Sequence, residues 1–134
     1  RKVIAACGGA VRGKTIGVLG LTFKPNTDDM REAPSLAIIT ALQDAGARVR
    51  AFDPQGMEHA RGMMNDVVYS EDAYACAKDA AAVVIVTEWD DFRALDLKRL
   101  KSVMSDPVMV DLRNIYRPDD MRKLGFTYAS IGRP

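Results

Sequence analysis

At 134 residues the chain has the size of one domain and can bury a core without disulfide or metal staples, so one compact unit is expected. Its 19 basic and 18 acidic residues nearly cancel and form no long run of like charge, which excludes the electrostatic footprint of a nucleic-acid or membrane binder. The two cysteines, Cys7 and Cys76, lack any C-x-x-C or histidine spacing, so no metal site or disulfide framework is expected and both read as free thiols of a reducing cytoplasm.

In chain order, Arg1 to Cys7 carries an apolar run too short for a signal peptide, and no stretch approaches the roughly 20 apolar residues that span a bilayer. The start lacks an initiator methionine and reads as the tail of a helix, so residues 1–12 are expected to end a linker from a preceding domain and residues 13–134 to form the domain proper. Thr15-Ile16-Gly17-Val18-Leu19 is a short β-branched run with the pattern of a strand covered on both faces. Residues 21–33 are polar, broken by Pro25, and too long for an ordinary strand-to-helix turn, which marks the loop as functional. Pro34-Ser35 opens a helix with Leu36, Ile39 and Leu42 on its apolar face, closed by Gly46.

Ala47 to Phe52 reads as a second strand, broken by Asp53-Pro54, and a polar stretch with Gly56, His59 and Gly62 leads to a short strand near Val67-Val68-Tyr69. Residues 71–80 are Ala-rich and helical, and Ala82-Val83-Val84-Ile85-Val86 and Val108-Met109-Val110 are apolar runs of central parallel strands. A charged helical segment near 91–104 separates them, Pro118 begins a last helix, and Phe126-Thr127-Tyr128 suits an edge strand. This alternation predicts an α/β fold, a three-layer doubly wound, Rossmann-like, mainly parallel sheet of about six strands in the order 3-2-1-4-5-6.

In such sheets ligands bind beyond the carboxyl ends of the strands, where strand order reverses. The segments leaving strands one, four and five place Lys24, Arg31 and Arg113 near one edge, with the rings of Phe23, Trp89 and Tyr116. Cations that grip phosphate beside aromatic surface suit a nucleoside diphosphate. The competing reading makes Phe23 and Trp89 core residues and pairs the cations with Asp28, Asp29 and Glu32 in a solvated loop. A dinucleotide site is disfavoured, because Gly17-x-x-Gly20 lacks the G-x-G-x-x-G fingerprint; Asp53, placed like a ribose-binding acid, reads as a turn residue ahead of Pro54.

Gly20-Leu21-Thr22-Phe23-Lys24-Pro25-Asn26-Thr27-Asp28-Asp29-Met30-Arg31-Glu32-Ala33-Pro34-Ser35 resembles the first loop of the third domain of the UDP-glucose/GDP-mannose dehydrogenase family. Thr87-Glu88-Trp89 and Asp111-Leu112-Arg113-Asn114-Ile115-Tyr116 resemble two further motifs of that domain, in the right order, and the likeness covers about residues 13 to 132. The resemblance implies an oxidoreductase of three parts: an NAD-binding N-terminal domain, a central helical domain and this UDP-binding domain. It implies oxidation of a sugar C6 alcohol to a carboxylate with two NAD molecules through a cysteine-linked intermediate, in polysaccharide precursor biosynthesis. The first loop is most similar to the UDP-glucose branch; the same domain acting on GDP-mannose or a UDP-N-acetyl sugar, or a non-enzymatic nucleotide-binding module, are the alternatives.

By the same resemblance Phe23, Lys24 and Arg113 contact the nucleotide-sugar, and Arg31 touches the NAD phosphates across the domain interface. The resemblance further implies that NAD is held mainly by the N-terminal domain and that the full-length enzyme is a homodimer; a cytoplasmic location with no nucleic-acid or membrane partner is expected. No catalytic or metal-ligating residue is expected in this chain, which should be inactive alone, because neither Cys7 nor Cys76 lies in the Cys-Phe-Pro-Lys stretch of the family's nucleophile. Leu112 stands where the Asp-Gly-Arg motif usually has glycine, adding bulk beside Arg113. His59 reads as a surface residue, and the methionines as packing.

Overall fold

The computed structural model describes residues 2–22, 26 and 33–131, with the His59 side chain outside that description. Strands β1 (Thr15–Leu19), β2 (Arg48–Phe52), β3 (Val67–Tyr69), β4 (Ala82–Ile85), β5 (Val108–Asp111) and β6 (Thr127–Ser130) form one sheet in the order β3-β2-β1-β4-β5-β6. Every pairing is parallel, with Leu19 opposite Phe52 on one side and Ile85 on the other. The doubly wound order expected from the alternation is therefore the one adopted, with residues 127–130 as the edge strand.

Alternate side chains of each strand feed two separate cores. Ile16, Val18, Val49, Val84 and Val110 face a layer built from α1 (Lys2–Ala6), α2 (Pro34–Asp44) and α3 (Met57–Arg61), which contribute Val3, Ile39, Leu42 and Ala60. Leu19, Val83, Ile85 and Met109 face the opposite layer, where α4 (Ala73–Ala77), α5 (Asp90–Arg93), α6 (Leu97–Val103) and α7 (Pro118–Lys123) contribute Cys76, Phe92, Leu100 and Met121. Burial on both faces explains why β4 and β5 are apolar at consecutive positions. Gly17 serves the second layer by absence: a Cβ there would stand 2.9 Å from the Cys76 carbonyl oxygen, so only glycine lets α4 lie this close to β1.

Three local readings are corrected. The segment near 91–104 is two helices, because the Asp96 carboxylate accepts from Arg99 N at 3.1 Å and starts α6 anew, with Asp96 itself in extended backbone. The polar stretch after β2 contains α3, whose approach is built on Asp53: its Oδ1 accepts from Gln55 N at 2.8 Å and Gly56 N at 2.7 Å. The helix expected over 71–80 is confined to α4, capped at its start by the Asp72 carboxylate on Ala75 N.

Candidate nucleotide site at the strand crossover

Strand order reverses between β1 and β4, so the crevice lies over the carboxyl ends of these two strands. Gly20 leaves β1 at φ 98°, and a Cβ would meet Thr87 N at 2.5 Å, so the chains leaving the two strands touch backbone to backbone. Thr87 Oγ1 then donates to the Thr22 carbonyl oxygen at 2.7 Å and ties the segment after β4 to the start of the long loop. On the other side of that loop, Ser35 Oγ donates to the Leu21 carbonyl at 2.6 Å.

Asp53, fully buried at the end of β2, organises the same region. Its Oδ2 accepts from Leu21 N at 2.7 Å, Thr22 N at 3.2 Å and the Trp89 indole Nε1 at 3.1 Å, while Oδ1 holds the Gln55 and Gly56 N–H groups. A carboxylate in this position of a dinucleotide-binding fold accepts from ribose hydroxyls. Here both oxygens are occupied by the protein's own donors. Asp53 is thus the turn residue read from sequence and also a clamp on three segments, a role visible only in three dimensions.

Asp111 does the same at the end of β5. Its Oδ1 accepts from Arg113 N at 3.1 Å, and its Oδ2 from Ile115 N at 2.8 Å, Tyr116 N at 3.1 Å and the Tyr128 hydroxyl at 2.6 Å. Asn114, at φ 57°, closes the turn by exchanging two hydrogen bonds with the backbone of Ile131. The turn carries Arg113 to the crevice edge, where its terminal nitrogen meets Glu88 Oε1 at 2.7 Å; the two side chains are 39% and 34% exposed. Leu112 turns the other way and lines an apolar groove with Ile4, Ile38 and Ala41, so its bulk is accommodated away from Arg113.

Of the expected site residues, Arg113 is at this edge, whereas Phe23, Lys24 and Arg31 lie outside the described residues. The aromatic expectation needs correction. Trp89 and Tyr116 are only 3% and 8% exposed and belong to the second core, with the Tyr116 hydroxyl donating to the Phe92 carbonyl, so neither offers an open face to a base. The reading of Trp89 as a core residue is the one the structure adopts. Asp53, Thr87 and Asp111 build the site through partners distant in sequence, which no local pattern announces.

Neither thiol is activated. Burial pushes Cys76 up to about 12, with its Sγ against the Val18 carbonyl, and burial also raises Cys7. Among the described residues no group of side chains is arranged to hold a metal ion, and no helix is long and apolar enough to cross a membrane. A concavity of about 600 Å³ lies at the opposite, amino end of the strands, with Asp44, Arg48, Arg50 and Asp66 among its lining residues. Its mixed charge and its distance from the crossover separate it from the crevice.

Residues 17–118 match the model of the UDP-glucose/GDP-mannose dehydrogenase family, UDP binding domain. The chain belongs to this family. It is 62% identical over 134 residues, its whole length, to the UDP-glucose 6-dehydrogenase of Rhizobium meliloti, and 43% identical over 127 residues to UDP-glucose 6-dehydrogenase TuaD of Bacillus subtilis. It spans 31% and 28% of those two relatives. Among solved structures, a UDP-glucose dehydrogenase from Pyrobaculum islandicum superposes with a TM-score of 0.76 at 35% identity, covering 96% of this chain and 27% of that one. The NDP-N-acetyl-D-galactosaminuronic acid dehydrogenase of Methanosarcina mazei superposes with a TM-score of 0.81 at 27% identity, covering 98% and 28%.

Proposed function

We propose that this chain is the C-terminal, UDP-binding part of an NAD-dependent enzyme that oxidises UDP-glucose to UDP-glucuronate, and that it grips the diphosphate with Arg113. In this reading Phe23 and Lys24 complete the grip from the loop after β1, and Arg31 reaches the NAD phosphates at a domain interface. On the same reading residues 1–12 end the linker from a preceding domain and residues 13–134 form the nucleotide-sugar domain, with the linker's α1 packed onto it through Val3. The full-length protein is a cytoplasmic homodimer, with the UDP-sugar and the N-terminal and central domains as this chain's partners.

The observation that carries the reading is the presentation of Arg113 by the Asp111 turn at the carboxyl end of β5, beside the strand crossover. With the Arg113 backbone already fixed, only the side chain's own freedom is left to be lost when the guanidinium takes a diphosphate bidentately. The residues present do not suit NAD as a principal ligand, since the acid at the end of β2 is saturated by protein donors. No oxidation step is therefore assigned to this chain. Its own residues bind and orient the nucleotide, so that binding energy gathered on UDP holds the sugar for chemistry carried out elsewhere.

The test is Arg113→Ala in the full-length enzyme, with both kinetic constants measured. Loss of one charge-assisted contact should cost about 1.5–3 kcal/mol, expressed mainly in the Michaelis constant. An unchanged Michaelis constant removes Arg113 from the site.

A further inference from the structure

Three consecutive residues after β4 each hold a different part of the crevice. Thr87 Oγ1 bonds the Thr22 carbonyl after β1, Trp89 Nε1 bonds Asp53 after β2, and Glu88 Oε1 accepts from Arg113 after β5. The alternation of the chain sends Thr87 and Trp89 inward, at 1% and 3% exposure, and leaves Glu88 directed to the crevice. We propose that Glu88 is a positioning residue for Arg113, setting the direction in which its guanidinium faces the diphosphate. The proposal rests on the reading of Arg113 as a nucleotide contact.

An ordinary exposed ion pair contributes little, because two long side chains lose freedom to form it. This pair differs in its supports. Glu88 sits between two residues anchored by buried hydrogen bonds, and the Arg113 backbone is fixed by Asp111 at 3.1 Å. Both side chains therefore start from fixed points, and the 2.7 Å contact selects one guanidinium orientation from many. A guanidinium carries five N–H donors in a planar fork. Glu88 takes one edge of that fork, and the plane it imposes determines where the other donors point. Removing the carboxylate leaves the cation in place but lets it swing, so a bidentate ligand must then supply the ordering itself.

The experiment is a double-mutant cycle on this chain, titrating UDP into the parent, Glu88→Gln, Arg113→Ala and the double variant, and following amide chemical shifts. Thermal unfolding of each shows that the fold is retained. Arg113→Ala should weaken UDP by about tenfold or more, and Glu88→Gln by about three- to tenfold with Arg113 present. In the Arg113→Ala background Glu88→Gln should change nothing further, a coupling that a purely structural role does not produce. The proposal is overturned if Glu88→Gln leaves UDP affinity unchanged, tightens it, or weakens it equally in both backgrounds. If Arg113→Ala alone has no effect, the underlying reading of Arg113 fails as well, and the single variant identifies that case.

Discussion

The indole Nε1 of Trp89 donates to Oδ2 of Asp53 at 3.1 Å, joining the segment after β4 to the end of β2 across the intervening strand β1. Both residues are buried, and Trp89 is the only tryptophan in the sequence, so its fluorescence reports on this junction alone. The loop from β1 starts between them, with Leu21 and Thr22 bonded to the same carboxylate.

Asp53→Ala should therefore act on several segments at once. It strands the N–H groups of Leu21, Thr22, Gln55 and Gly56 together with the indole. Buried donors without an acceptor are costly, and a loss of about 3 kcal/mol or more in denaturant unfolding is expected. The Trp89 emission should shift to the red. A loss below about 1 kcal/mol with unchanged emission would show that the carboxylate does not hold these segments together.

Gly20→Ala tests the backbone contact between the chains leaving β1 and β4. The new methyl group would stand 2.5 Å from Thr87 N and 2.6 Å from Thr87 Cβ, in a residue with φ 98°. Backbone strain and overpacking together predict a loss of roughly 2–4 kcal/mol. A change within about 0.5 kcal/mol, the range of neutral surface substitutions, would mean that the strands part easily at this point.

Tyr128→Phe removes the hydroxyl that donates to Asp111 Oδ2 at 2.6 Å. A bond to a buried carboxylate predicts a stability loss of about 1.5–3 kcal/mol. Asp111 keeps its three backbone donors, so the Arg113 turn should persist, with UDP affinity within about twofold of the parent. A large loss of affinity at intact stability would place Tyr128 closer to the ligand than its position in the core allows.

Cys76 yields a pH dependence. Burial raises its thiol from 9.0 to about 12, so between these values the folded chain holds a proton that the unfolded chain releases. Its contribution is complete below pH 9 and is lost as pH climbs toward 12, at no more than about 1.4 kcal/mol per pH unit. Urea unfolding at pH 8 and pH 10.5 should show a smaller alkaline loss in Cys76→Ala than in the parent. Equal losses would show that the folded thiol titrates like an exposed one.

The layered fold was legible in the sequence because local periodicity and burial agree. Apolar runs at 82–86 and 108–110 can persist only when both faces are covered, and the doubly wound order follows from their alternation with helices. The placement of Arg113 at a strand end was legible for the same reason, since a residue just past a central parallel strand has one edge to occupy. The fates of Asp53, Trp89 and Glu88 were not. A carboxylate after a strand suits a ribose, a turn or a clamp equally well in one dimension, and an aromatic ring there suits a base or a core. Which one holds depends on donors from residues 21, 22 and 89 meeting residue 53, a coincidence of distant backbone positions that carries no local pattern. The sequence by itself determined the sheet, its order and the edge beyond which such a sheet takes its ligands. Only the tertiary structure decided which polar groups are consumed in building that edge and which cation is held out to it, because hydrogen-bond partnership is settled by proximity in space.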